Sequence, residues 1–268
     1  MHLHPFKARR RNEGVSNKTI NEELAILSKL LSYAHEIGDR EGTPPNIRRL
    51  KTQRPSFDFF DFEEAERLLT AARAAPDPWS AMIPTAVFTG LRLGELRGLL
   101  WSDVDLAGAQ LHVRRAADDA GKLGPPKSGR ARVVDLPRRA VEVLRAHRHI
   151  RGAFVFCRED GSMLQRWHCE SKSKLERGDS PLMKRCWEAG LRRMGWHGLR
   201  HTYASHLMMR GASVTQVKEL LGHSSISMTM RYAHLSPNAR RSAAALLDEP
   251  APQYMSSTRQ DQERENGS

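Results

Sequence analysis

From Asn17 onward, apolar residues recur at Ile20, Leu24, Leu27, Leu31 and Ala34. Steps of four and three draw one stripe down a helix, with Asn17 as the expected N-cap and Gly38 as the stop. A single helix cannot bury its own stripe, so this region predicts an incomplete helical unit. Residues 5–15, PFKARRRNEGV, offer little to bury and read as a flexible or DNA-tracking arm. The Pro-flanked stretch 43–55 reads as a basic linker carrying Arg48, Arg49, Lys51 and Arg54. A second unit opens at Phe57, where Asp61 and Glu64 have capping-box spacing ahead of a helix to about Ala75. Further helices are expected at 79–88, 92–100, 137–147, 182–194, 199–210 and 214–221, with a short last helix capped by Ser224 or Ser225 and carrying Tyr232. Alternation at 110–116 and 130–136 predicts two strands joined by a long hairpin connection. The fold class is thus mainly α with a small antiparallel β-sheet (α+β). The segment 170–181 reads as a surface loop, and the tail 248–268 as flexible.

Composition narrows the class. Lys and Arg number 43 against 31 Asp and Glu, a net charge of +12, which favours a polyanionic partner because phosphate contacts release condensed counterions. Arg-rich composition can also reflect codon bias. No apolar run approaches the roughly 18 residues a membrane span needs, so a cytoplasmic protein with no membrane partner is expected. Cys157, Cys169 and Cys186 have no CxxC spacing and read as free thiols.

The chemistry concentrates between Trp196 and Leu235, which hold His197, Arg200, His201, His223 and Tyr232. Breaking a phosphodiester without metal requires a nucleophile, cations on the non-bridging oxygens and a proton donor for the departing oxygen. Tyr232, Arg92 with Arg200, and Lys127 supply those types. Guanidinium binds two phosphate oxygens with its planar fork, and a lysine near other cations gives up its proton readily. His197 lies three residues before Arg200, so the two can share a face. A tyrosine, with a reference pKa of about 10, needs a cationic pocket to ionise. Singly, each has a plainer reading: a packing tyrosine, solvated arginines, an exposed lysine, a capping histidine. His197 and His201 at i, i+4 could pair on a metal, but without an HExxH glutamate or a third ligand no metal or cofactor is expected.

Four motifs in order, TGLRLGEL (89–96), PPKSGRARVVDLP (125–137), HGLRH (197–201) and LGHSSISMTMRYAH (221–234), resemble the catalytic domain of the tyrosine recombinase, or phage integrase, family. NKTINEELAILSKLLSYAHE (17–36) resembles the end of that family's helical core-binding domain. The resemblance implies a partial core-binding region over 1–52, shortened by its first helices, and a catalytic domain over 53–247. It implies a site-specific recombinase that cuts and rejoins double-stranded DNA through a 3′-phosphotyrosyl bond, without metal or ATP. Arg92 and Arg200 become the phosphate clamp, Lys127 the hairpin lysine, His197 and His223 the site histidines, and Tyr232 the nucleophile. Glu95 and His201 take supporting roles. The family works as a tetramer on two DNA sites through a Holliday junction, in places with DNA-bending accessory proteins, which implies a nucleoid-associated location. Two other readings stay open: a type IB topoisomerase-like enzyme, and a non-catalytic DNA-binding remnant of a mobile element.

Overall fold

The computed structural model describes residues 3–52, 57–170, 180–237 and 248. It divides into two compact units, Met1–Ser56 and Phe57–Ser268.

In the first unit, α1 (His4–Asn12) and α2 (Asn17–Glu36) pack together. The expected flexible arm is therefore a helix. Pro5 suits its first turn, and Arg10 holds it to α2 through Glu23, with Nε 3.0 Å from Oε2. Ser16, not Asn17, is the N-cap of α2, its hydroxyl accepting from the Thr19 N–H at 3.2 Å. Asn17 instead donates to the Lys51 carbonyl at 2.9 Å. Asn21 bonds both backbone groups of Leu50, at 2.7 and 2.9 Å. The expected linker is thus laid along α2 by its backbone, which leaves the side chains of Arg48, Arg49 and Lys51 exposed. Arg54 lies outside the described residues. Of the predicted stripe, Ile20 and Leu24 are buried, while Leu27, Leu31 and Ala34 are half-covered.

The second unit is mainly helical with a small antiparallel sheet, as expected. In chain order it contains α3 (Phe62–Arg73), α4 (Trp79–Thr89), α5 (Leu93–Arg97), β1 (Val104–Asp105), β2 (Gln110–Val113), β3 (Ala116–Ala117), β4 (Leu123–Gly124), β5 (Arg132–Asp135), α6 (Arg138–Ala146), α7 (Arg166–Cys169), α8 (Pro181–Glu188), α9 (Trp196–Met209), α10 (Val214–Leu221) and α11 (Ile226–Thr229). Strands β1, β2 and β5 form an antiparallel sheet in which Leu111 faces Val134, and β3 with β4 forms a separate hairpin between them. Sequence alternation missed the two-residue strands because they are too short to show a period.

Helix α4 is central, with Ala81 through Val87 buried, and packs against α3, α6 and α9. Asp61 and Glu64 form the expected capping box of α3. Ser213 and Gln216 form that of α10, which ends on left-handed Gly222. Three predicted helices have different limits: α5 closes at Gly98, α8 stops before Gly190, and α9 begins at Trp196 and runs through Gly198. Tyr232 lies on a 3-10 helix, Met230–Leu235, that follows α11, and Ser225 caps α11. Cys157, Cys169 and Cys186 are buried free thiols. Residues 171–179, the core of the expected surface loop, and the expected flexible tail beyond Asp248 lie outside the described residues.

Gly90 ends α4 at φ +61°, and a Cβ there would sit 2.4 Å from Cδ1 of Tyr203. Gly90→Ala should therefore lower unfolding free energy by about 2–4 kcal/mol, from left-handed strain plus ring displacement. Urea unfolding checks this, and a loss below about 1 kcal/mol would contradict the close packing.

Candidate active site

The α4–α5 corner supplies the first cations. Arg92 is the N-cap of α5, and Glu95, three residues on, accepts both its backbone N–H and its guanidinium at 2.9 Å. Glu95 is also gripped by Arg132 of β5, through two bonds of 2.9 and 2.8 Å. Burial alone would raise the Glu95 pKa, but the Arg132 fork, the Arg92 N–H and nearby Arg200 bring it down to about 2.

Arg200, on α9, is buried and donates to the carbonyls of Gly90 at 2.7 Å and Leu221 at 2.6 Å. Those acceptors are the ends of α4 and α10, so Arg200 ties together three segments that carry the sequence motifs. Burial first, and then Arg92, push its pKa down to about 9. Glu95 offsets this only in part, and the acceptors the guanidinium bonds directly are neutral carbonyls.

His223 follows the Gly222 stop, and its Nδ1 lies 2.8 Å from Thr229 Oγ1. Burial and the cations Arg200, Arg92, Arg231 and Arg132 push its pKa down to about 3. His197 is also lowered, by loss of solvation and then by Arg200, Arg92, Arg231 and Lys127. Lys127 is exposed on the turn after β4, and with Arg92 it lines a cleft of about 400 Å³. Thus Arg92, Glu95, Lys127, His197, Arg200 and His223 share one electrostatic neighbourhood.

Tyr232 is buried, and its hydroxyl lies 2.5 Å from Nδ1 of His201. The His201 ring stands edge-on to His197 at 4.5 Å, and Phe57 packs against both Tyr232 and His201 at 4.7 and 5.1 Å. Burial raises the tyrosine pKa despite the pull of Arg231 and Arg200. Burial and the cations thus act on the phenol in opposite directions. Burial, with His197, Arg231 and Arg200, lowers His201 to about 4, so its ring is neutral and can accept the phenol proton in the bond.

Residues 58–239 match the phage integrase family, well over half of the chain. The chain belongs to that family. The tyrosine recombinase XerC-like protein of Caldanaerobacter subterraneus subsp. tengcongensis is 27% identical over 274 residues, covering 88% of this chain and 67% of that one. The catalytic domain of bacteriophage HP1 integrase is 25% identical with a TM-score of 0.52, covering 74% of this chain and 100% of that one. The Tn1549 transposon integrase, solved in complex with transposon right end DNA, has a TM-score of 0.70 at 19% identity, covering 91% of this chain and 84% of that one, a likeness of fold. The chain spans 47% to 69% of the length of the first curated relatives that it matches.

Within this family frame, sequence reasoning missed Arg132, Phe57 and the His201–Tyr232 bond. Arg132 carried a signal: it shares strand parity with buried Val134, and an arginine on the inward side of a strand requires a carboxylate. Phe57 carried none, since its ring meets Tyr232 only through the fold.

A depressed carboxylate pKa contributes stability above its unfolded value, near 4.3, which is lost as pH falls through its folded value. Glu95→Gln should lower unfolding free energy at neutral pH by about 3 kcal/mol and flatten the loss between about pH 5 and about pH 2. Urea unfolding across that range is the check; an unchanged pH slope would remove Glu95 from this role.

Proposed function

We propose that the chain cuts and rejoins DNA strands through a covalent tyrosine intermediate, as a site-specific recombinase. The observation that carries this reading is the charge imbalance around Arg200. Arg92 and Arg132 both pair with Glu95, while buried Arg200 beside them donates to two neutral carbonyls, which leaves the cluster with more positive than negative charge. A phosphodiester entering beside Arg92 supplies the balancing negative charge. Arg92 and Arg200 then hold its non-bridging oxygens, which stabilises the transition state.

In the chemical step, the Tyr232 oxygen bonds to phosphorus and the bond to the 5′ oxygen breaks. Lys127 gives its proton to that departing oxygen, leaving a 5′-hydroxyl and a 3′-phosphotyrosyl link. The phenol gives its proton to a site imidazole, His201 being the one in contact. His197 and His223, low in pKa until a phosphate arrives, become hydrogen-bond donors or acid/base groups beside the added negative charge. Attack by another strand's 5′-hydroxyl reverses each transfer, so the link conserves the bond energy and no ATP or metal is needed. Residues 1–52 act as the DNA-holding helical unit and 53–247 as the catalytic domain, with Arg48, Arg49 and Lys51 of the first and Arg54 at the start of the second on phosphates. Four copies assemble on two DNA sites, with DNA-bending proteins as accessory partners in the cytoplasm at the nucleoid. No helix among the described residues is long and apolar enough to cross a membrane.

A pool of nicked duplexes of random sequence tests the reading. Incubation should yield a detergent-stable protein–DNA adduct enriched in one sequence, insensitive to chelators. Tyr232→Phe should abolish it while keeping DNA retention, and an adduct persisting in that variant would overturn the nucleophile assignment. On the recovered duplex, Arg92→Lys should slow adduct formation about 100-fold or more, because an ammonium cannot form the fork.

A further inference from the structure

Arg97 is fully buried at the end of α5, two residues beyond Glu95. Two backbone carbonyls hold it: Nε donates to Leu164 at 2.8 Å and one terminal nitrogen to Asp118 at 3.0 Å. The other terminal nitrogen is buried and has no hydrogen-bond partner among the described residues. Burying a guanidinium without a carboxylate partner is costly, which calls for a reason beyond packing.

The reason lies in what Asp118 controls. Its carbonyl also accepts the Gly121 N–H at 3.2 Å, its N–H donates to Lys122 at 3.0 Å, and its side chain accepts the Lys122 N–H at 2.8 Å. Asp118 is therefore the knot of the β3–β4 hairpin. From β4 the chain passes through Pro125 and Pro126, whose rings fix φ, directly to Lys127, and the Gly129 N–H closes that turn on Pro126 at 2.7 Å. Glycines near both ends of the same helix let its backbone approach the hairpin closely. A Cβ on Gly94 would lie 2.5 Å from the Ala117 carbonyl oxygen, and one on Gly98 3.3 Å from both Ala117 N and Leu123 Cδ2.

We propose that Arg97 is a positioning residue that locks the lysine-bearing hairpin to α5, and so fixes Lys127 relative to the Arg92 clamp across their shared cleft. This rests on Lys127 being the proton donor to the departing 5′ oxygen. Helix α5 then sets two parts of the reaction at once: Arg92 from its first turn and, through Arg97 and the two glycines, the reach of Lys127.

The test separates positioning from mere support of the fold. The recovered nicked duplex is made with oxygen or with sulfur as the departing 5′ atom; a thiolate leaves without a proton donor, so a defect in proton donation disappears on sulfur. Lys127→Ala is the reference. Arg97→Met should form adduct about 10- to 100-fold more slowly on the oxygen duplex yet stay within about threefold of the parent on the sulfur duplex, with DNA retention unchanged. Gly98→Ala, which shifts the hairpin by a few tenths of an ångström and keeps the guanidinium, should show the same pattern more weakly and carries the test if Arg97→Met does not fold. Equal loss on both duplexes, or no loss on either, would overturn the inference. If Lys127→Ala is itself not rescued by sulfur, the donor role of Lys127 falls, and the inference with it. Arg92→Lys, slow on both duplexes, separates a clamp defect from either result.

Discussion

Cations crowded into a low-dielectric pocket repel one another, and that constraint shapes this catalytic unit. Glu95 makes the crowding tolerable. Its carboxylate takes the Arg132 fork and the Arg92 guanidinium together, and it holds its proton off down to a pH of about 2. It offsets Arg200 only in part, since the hydrogen-bond acceptors of that guanidinium are the carbonyls at the ends of α4 and α10. The pocket thus remains electrostatically incomplete and suited to a further anion. Gly90 and Gly222 serve the same arrangement: each ends a helix in the left-handed region where Arg200 draws its carbonyl acceptors from Gly90 and Leu221.

The candidate site residues stand in two distinct conditions. Lys127 is exposed in the cleft and His197 on the surface, whereas Tyr232 is buried between Phe57 and His201. Desolvation raises the pKa of the phenol further above neutrality, against the pull of Arg231 and Arg200.

Much of this was legible in the sequence because it depends on local rules. The capping box at Asp61 and the two longer strands follow from spacing alone. The lead-in before Asn17 was misread because composition hides what Arg10 achieves by pairing with Glu23 across two helices. The limits of α5 and α8 were overestimated, since periodicity continued past Gly98 and Gly190 where the backbone turned. Candidate site residues were legible as ordered motifs, yet their partners were not. Arg132, Phe57 and Arg97 act through neighbours distant in sequence, and the state of Tyr232 depends on burial that no motif encodes.

The most direct measurement of the central claim is the chemical identity of the protein–DNA link. Nuclease trimming of the captured adduct followed by trypsin and mass spectrometry should place a 3′-linked nucleotide on the peptide that begins at Tyr232 and ends at Arg240. Fragmentation should assign it to the phenol oxygen. A nucleotide on a serine or another tyrosine, or one attached through its 5′ phosphate, would contradict the account.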